Sequence, residues 1–194
     1  MNYYISDLHF LHKNCIQFDE RPFSDIEEMQ RVMVEKWNRK ITNGDTVYIL
    51  GDVSMRGKKE DLIALVATLK GKKILVKGNH DSVEDDRYQQ LYDTMCDYKE
   101  VQDSVDGTNY SLVLCQYPIF SWKNMGRGTI LLYGHTHNGK EDDYFQRCIV
   151  QMSKNECGHI YDKMPRAYNV GCMKPWMNNE QRTFKENLET AGHN

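Results

Sequence analysis

TVYILGD, residues 46–52, is the stretch on which the reading of the fold turns. Val47, Tyr48, Ile49 and Leu50 form a short unbroken run of β-formers, the pattern of a strand covered on both faces. Asn43 and Gly44 mark a turn before it. After it the chain stops abruptly on Gly51 and Asp52. Residues 73–81, KILVKGNHD, repeat the plan, with an apolar run that ends on Gly78, Asn79, His80 and Asp81. Between the two, residues 59–69 place Leu62, Leu65 and Leu69 at helical spacing, with Gly71 as the stop. Strand, helix, strand is the unit of a parallel sheet.

Working outward, residues 2–6 read as a strand that opens the chain and runs into Asp7-Leu8-His9. A polar loop spans 7–23. Ser24 with Glu27 three residues on predicts a capping box. The helix behind it, with Ile26, Met29, Val32, Met33 and Trp37 on its apolar face, should end near Lys40. Downstream, 101–105 and 110–115 alternate around Asp106-Gly107, a hairpin signal. Residues 129–133 are another strand and 168–170 a further one. Residues 179–188 read as helix. The polar stretch 138–166 carries no assignable pattern. The first half is therefore α/β, in one domain spanning the chain.

Composition bounds the function. The chain has 194 residues, a formal net charge of −3 and a sequence pI of about 6.2. A dedicated nucleic-acid binder usually has a strong basic bias, so nucleic acid is not the expected partner. No apolar run approaches the roughly 18 residues that span a bilayer, and the first residues lack a signal-peptide pattern. A cytoplasmic protein with no membrane partner is the expectation. Six cysteines occur without a C-x-x-C pair, which argues against a zinc knuckle. Free thiols are expected, with Cys148 and Cys157 able to pair only under oxidation. The chain carries no signal for its oligomeric state.

Four strands end in polar clusters: Asp7-x-His9, Gly51-Asp52, Gly78-Asn79-His80-Asp81 and Gly134-His135-Thr136-His137. Ligands of α/β sheets bind at the carboxyl ends of strands, so these clusters should converge. Carboxylate with imidazole suits Mn²⁺, Fe, Zn²⁺, Ni²⁺, Co²⁺ or Mg²⁺. Each motif alone has a plainer reading. Asp52 can be a turn residue, and Asn79 a helix cap. His9 can be a surface loop histidine. The recurrence of such clusters after successive strands favours a metal site.

This motif series resembles that of calcineurin-like metallophosphoesterases, small bacterial and phage members in particular, from Tyr3 to about Gly171. The resemblance implies a four-layer α-β-β-α sandwich and two divalent metal ions. It implies Asp7, His9 and His137 as ligands of the first ion, Asp52 as the bridge, and Asn79 and His135 on the second. His80 would stabilise or protonate the leaving oxygen. The implied reaction is hydrolysis of a phosphomonoester or phosphodiester by a metal-bridging hydroxide. The substrate would be small and phosphorylated, with nucleotides and cyclic nucleotides as examples. One position departs. Gln116, before Tyr117-Pro118, stands where the family usually has a histidine ligand. A glutamine carbonyl can ligate a hard cation, so the second site is expected to be weaker. An alternative follows, a catalytically weakened metal-binding scaffold of the same fold.

Some residues stay open. His12 either contacts substrate or is an ordinary exposed histidine. Arg56, then Arg21 and Arg127, are candidates for gripping phosphate or are solvated charges. Trp122, Tyr117 and Phe120 either stack on a base or simply pack. Specificity should lie in the loops 10–23, 118–128 and 138–166.

Overall fold

A computed structural model describes residues 1–55, 57–81, 84–154 and 161–191. The strands are β1 (Asn2–Ile5), β2 (Thr46–Leu50), β3 (Lys72–Val76), β4 (Thr94–Cys96), β5 (Lys99–Val105), β6 (Thr108–Leu114), β7 (Ile130–Tyr133), β8 (Ala167–Asn169) and β9 (Arg182–Thr183). The helices are α1 (Asn14–Phe18), α2 (Ile26–Lys40), α3 (Lys59–Ala67), α4 (Asp86–Gln89), α5 (Lys140–Ser153) and α6 (Phe184–Ala191). One sheet has the order β4-β3-β2-β1-β9 and the other β5-β6-β7-β8. β1 to β4 are parallel, as the strand–helix alternation predicts, and only β9 runs antiparallel at the edge. In the second sheet β5 and β6 form the hairpin, and β6, β7 and β8 run parallel.

Period-two alternation sorts the faces. Val113, Leu131 and Tyr133 pack with Phe145, Ile149 and Met152 of α5. Leu112, Leu114, Ile130 and Leu132 therefore face the other way. They share one core with Tyr4, Tyr48 and the apolar face of α2. Tyr4 stacks on Tyr48 with centroids 5.3 Å apart, and its hydroxyl donates to Asp103 of β5 at 2.7 Å, across the sheet gap. Trp37 of α2 is 1% exposed and donates from Nε1 to the Lys70 carbonyl at 2.9 Å, tying α2 to the approach of β3. The layers run helices, sheet, sheet, helix, which is the expected four-layer sandwich. Among the described residues, no helix is long and apolar enough to cross a membrane.

Several elements differ from the sequence reading: α1 lies within the stretch 7–23 read as a polar loop, and α4 and β4 carried no sequence assignment. The α2 cap sits one residue later. Asp25 accepts from the Glu28 amide at 2.7 Å, and Glu28 accepts from the Ser24 amide at 2.7 Å. The unassigned polar stretch contains the 14-residue helix α5. The helix placed at 179–188 begins only at Phe184, because Arg182 and Thr183 pair with β1. Thr183 and Glu186 cap it reciprocally. Glu186 accepts from the Thr183 amide at 2.7 Å, and the Glu186 amide donates back to Thr183 Oγ1 at 3.2 Å.

At the seam the two sheets meet. Ser6 bridges Gly171 in parallel fashion. The Ser6 amide donates to the Val170 carbonyl, and the Cys172 amide to the Ser6 carbonyl, both at 2.9 Å. This stitch brings the end of β1 beside the end of β8, and with them the loops that follow.

Candidate metal centre

Asp7, the residue after that stitch, is fully buried. Its carboxylate accepts from Ser6 Oγ at 2.7 Å, from the His135 amide at 3.0 and 3.1 Å, and from Gln116 Nε2 at 3.2 Å. Donor atoms of Asp7, His9 and His137 lie within 4.8 Å of one another. The Nε2 atoms of His9 and His137 are 3.2 Å apart, and His9 Nε2 is 3.9 Å from Asp52 Oδ2. Asp52 Oδ1 accepts from the His80 amide at 3.1 Å.

The backbone at these residues is unusual. Asp7 (φ 55), His9 (φ 50), Asp52 (φ 52), His135 (φ 69) and His137 (φ 49) all adopt left-handed conformations. Each such residue costs about 1 kcal/mol or more, and such strain persists where surrounding contacts over-determine it. The contacts here are identifiable. The Asp7 amide donates to the Gly51 carbonyl at 3.1 Å and the His9 amide to the Asp52 carbonyl at 3.0 Å, so the first two loops hold each other. Asp81 accepts from the amides of Asp52 and Val53 at 2.9 Å and of Gly78 at 2.8 Å, joining the second loop to the third. Burial pushes the Asp81 carboxyl up to about 6, despite the three donors.

His137 is oriented from behind. Its Nδ1 lies 2.7 Å from Asp19 Oδ1, which leaves Nε2 to face His9 and Asp7. A carboxylate behind an imidazole in this way fixes the tautomer and raises its basicity as a ligand. Burial alone would lower the His137 pKa, but the Asp19 bond and the Asp7 charge outweigh it and hold it above the usual value. His9, by contrast, is pushed down to about 2, by burial first and then by His137 and Arg21. Asp19 is in turn gripped by Arg21 through Nε at 2.9 Å and Nη2 at 2.7 Å, while Arg21 donates to the Leu8 and Asp7 carbonyls at 2.9 Å. Arg21 is 5% exposed. The guanidinium is taken up by the ligand loop, and no part of it is left to grip a phosphate.

The fourth loop is held by Asp142 of α5. Its carboxylate accepts from Tyr133 Oη at 2.7 Å, Thr136 Oγ1 at 2.9 Å, Asn169 Nδ2 at 2.8 Å and Lys174 Nζ at 2.5 Å. Asn169 also donates to the His137 carbonyl at 3.3 Å. Asp19, Asp142 and Asn169 are positioning residues that sequence reasoning missed, and Asp81, read only as part of the third cluster, joins them. Their partners lie 28 to 118 residues away in several cases, and no local spacing announces such pairs.

Glycines leave room for the loops to touch. A Cβ on Gly51 (φ +77) would lie 2.0 Å from Gln116 Oε1 and 2.7 Å from the Gly78 Cα. One on Gly134 would lie 2.6 Å from Asp7 Oδ2. Gly51→Ala is therefore expected to lower stability by about 1–3 kcal/mol. Urea unfolding should show a lower midpoint at unchanged slope.

The remaining predicted residues fall as follows. Gln116 is fully buried against Asp7. His135 turns its ring edge-on to Tyr117, with centroids 4.6 Å apart. His80 is half-buried, its ring 6.0 Å from that of His9. Asn79 is exposed on the rim. His12 is buried beside His9, with ring centroids 5.6 Å apart, and is not a surface histidine. Arg127 is exposed beyond the start of β7, at the opposite end of that strand from Gly134. Trp122 is 6% exposed and donates to the Thr129 carbonyl, so it packs. Arg56 and Cys157 lie outside the described residues.

The donor set fits a divalent cation. A buried carboxylate, two imidazole nitrogens 3.2 Å apart and a buried Gln116 Oε1 without a hydrogen-bond partner are the groups a borderline or hard ion accepts. A four-layer sandwich that gathers carboxylates and imidazoles at converging strand ends defines the architecture of a metallophosphoesterase. The chain belongs to the calcineurin-like phosphoesterase family, whose model matches residues 3–193. That family suggests metal-dependent hydrolysis of phosphoesters.

Relatives include the uncharacterized protein MJ1445 of Methanocaldococcus jannaschii, 31% identical over 143 residues, covering 73% of this chain and 72% of that protein. The gene 66 protein of Mycobacterium phage L5 is 26% identical over 160 residues, covering 70% of this chain and 77% of that protein. The corresponding figures for the gene 66 protein of phage D29 are 29%, 70% and 78%. Among solved structures, a protein of unknown function from Aquifex aeolicus, AQ665, aligns with a TM-score of 0.67 over 96% of both chains at 23% identity. That last likeness establishes the fold alone.

Proposed function

We propose that this chain is a metal-dependent phosphoesterase acting on a small phosphomonoester or phosphodiester, nucleotides and cyclic nucleotides included. The observation that carries the reading is the approach of Asp7, His9 and His137 to within 4.8 Å of one another, with Asp52 beside them. In this reading Asp7, His9 and His137 hold one divalent ion. Asp52, with Oδ2 3.9 Å from His9 Nε2, would offer its carboxylate to this ion and to a second, for which Asn79, His135 and Gln116 would be the further donors, with manganese the first metal to try. When bound, such ions supply an activated water and offset charge on the phosphoryl oxygens. His80, at the edge of the cluster, donates to or stabilises the leaving oxygen. Asp19 and Arg21 keep His137 in the ligating tautomer. The described cysteines are free thiols, which suits the cytoplasm.

A specific observation keeps a second reading in view. Gln116 spends its amide on Asp7 Oδ1, which suits a weakened scaffold as well as an enzyme. Hydrolysis of bis-p-nitrophenyl phosphate, with Mn²⁺, Mg²⁺, Ni²⁺, Co²⁺ and Zn²⁺ added in turn, tests the first. Turnover with at least one ion, lost on chelation, is expected. No turnover with any of them, together with no bound metal by elemental analysis, would leave the scaffold standing.

A further inference from the structure

We infer that Phe18 is the wall on which a planar base of the substrate stacks, so that the substrate is a phosphoester bearing a nucleobase and not a simple alkyl phosphate. The inference rests on the phosphoesterase reading above and names the substrate class for that site. Phe18 is the last residue of α1 and is 55% exposed. It does not stand on a remote surface. Its ring centroid lies 5.7 Å from those of His137 and His12, and 6.4 Å from that of His9, to which it is nearly perpendicular at 86°. An uncovered phenyl ring thus borders the candidate metal cluster.

Beside it opens a cavity of about 340 Å³ lined by Phe18, Asp19, Thr136, His137, Asn138 and Gly139. That volume is at the lower end of the roughly 300–1,000 Å³ of small-molecule sites. The cavity shares His137 with the candidate metal cluster. A group filling it would be attached close to a phosphate held there. Asn138 is exposed at its rim and offers both a donor and an acceptor. A flat heteroaromatic with polar edges matches an apolar wall with an amide beside it. An alkyl group would leave Asn138 unanswered. Base–aromatic stacking tolerates any base, since every base has a π-face. The wall therefore selects for a nucleobase without choosing among them. Trp122, the larger ring in the loops around the site, is packed into the second core and cannot serve.

The test compares ligands that differ only by the base, on the full chain. Adenosine 5′-monophosphate is set against ribose 5-phosphate, and adenosine 2′,3′-cyclic phosphate against the abasic cyclic phosphate. Affinity is read by calorimetry, and turnover wherever it occurs. The wild type should favour the base-bearing member of a pair by about tenfold or more. Phe18→Ala should erase that preference through affinity or KM, leaving values for the abasic ligand within about twofold. Phe18→Trp should restore it. Because Phe18 is mostly exposed, the alanine variant should fold, as circular dichroism will verify. Equal affinities in the wild type, or a preference that survives Phe18→Ala, would overturn the inference. Failure of turnover with every ligand and metal would strike the phosphoesterase reading instead, and the affinity ratios would still decide the role of Phe18.

Discussion

Asp7→Asn is expected to remove the rise in melting temperature that divalent metal should give the wild type, and to remove phosphoester hydrolysis with it. A ligand that binds only the folded state stabilises it by about 2.7 kcal/mol at a hundredfold excess over Kd. For a domain of this size, 1 kcal/mol is worth roughly 2–4 °C, so wild-type protein should melt about 5–10 °C higher with saturating Mn²⁺. Asp7 is the one carboxylate among the three donors that converge within 4.8 Å. Asparagine keeps the shape but takes away the charge that would balance the cation. The side chain also meets only donors, from Ser6, Gln116 and the His135 amide, and an amide nitrogen cannot accept from them. Hydrolysis should fall by about three orders of magnitude or more, equivalent to ~4 kcal/mol of barrier. Differential scanning fluorimetry with and without metal reads the first effect. A variant that retains the wild-type metal shift would show that Asp7 is no ligand.

Asp142→Asn should cost the fold about 3–5 kcal/mol, because it leaves the Lys174 ammonium buried without its partner. Lys174 is 6% exposed, and the carboxylate it loses is also the acceptor for Tyr133, Thr136 and Asn169. Burial pushes the Asp142 carboxyl up, but Lys174 and the hydrogen bonds outweigh it and hold it below the ordinary carboxylate range. The sign of the pH dependence follows. A depressed folded pKa contributes stability that is present above the unfolded value, near 3.9, and fades as pH falls through the folded one. The gap in stability between wild type and Asp142→Asn should be constant above about pH 5 and shrink in acid. Urea denaturation at several pH values measures it. A gap that does not shrink in acid, or one under about 1 kcal/mol at pH 7, would show that the pair is not what anchors this corner.

Much of the frame was legible because its strands announce themselves. β2 and β3 are short apolar runs, each followed by glycine and a polar cluster, and the order of the clusters matched a family pattern. Local signals also misled by small steps. Ser24 and Glu27 look like a cap, yet Asp25 and Glu28 form it. Thr183 and Glu186 carry the same spacing, but a helical pattern that extends upstream to Asn179 masks their cap. α5 was hidden for a different reason. Among its described side chains the buried ones are Asp142, Phe145, Ile149 and Met152, set among charged residues, and Gly139 before it makes no side-chain cap bond. The candidate donors at the strand ends were readable from residue type, whereas the residues that aim them were not. Asp19 meets His137 across 118 positions, and Arg21 looks like any solvated arginine until its partners are seen.

The left-handed backbone at Asp7, His9, Asp52, His135 and His137 limits where such a constellation can live. Neither a helix nor a strand can present a side chain from that region of φ, so these donors cannot be transplanted onto a regular element by copying residue types. Drift at these positions is filtered twice, once for the donor atom and once for tolerance of the twist. Aspartate, histidine and asparagine pass both filters. A β-branched replacement would fail the second even where chemistry allowed it.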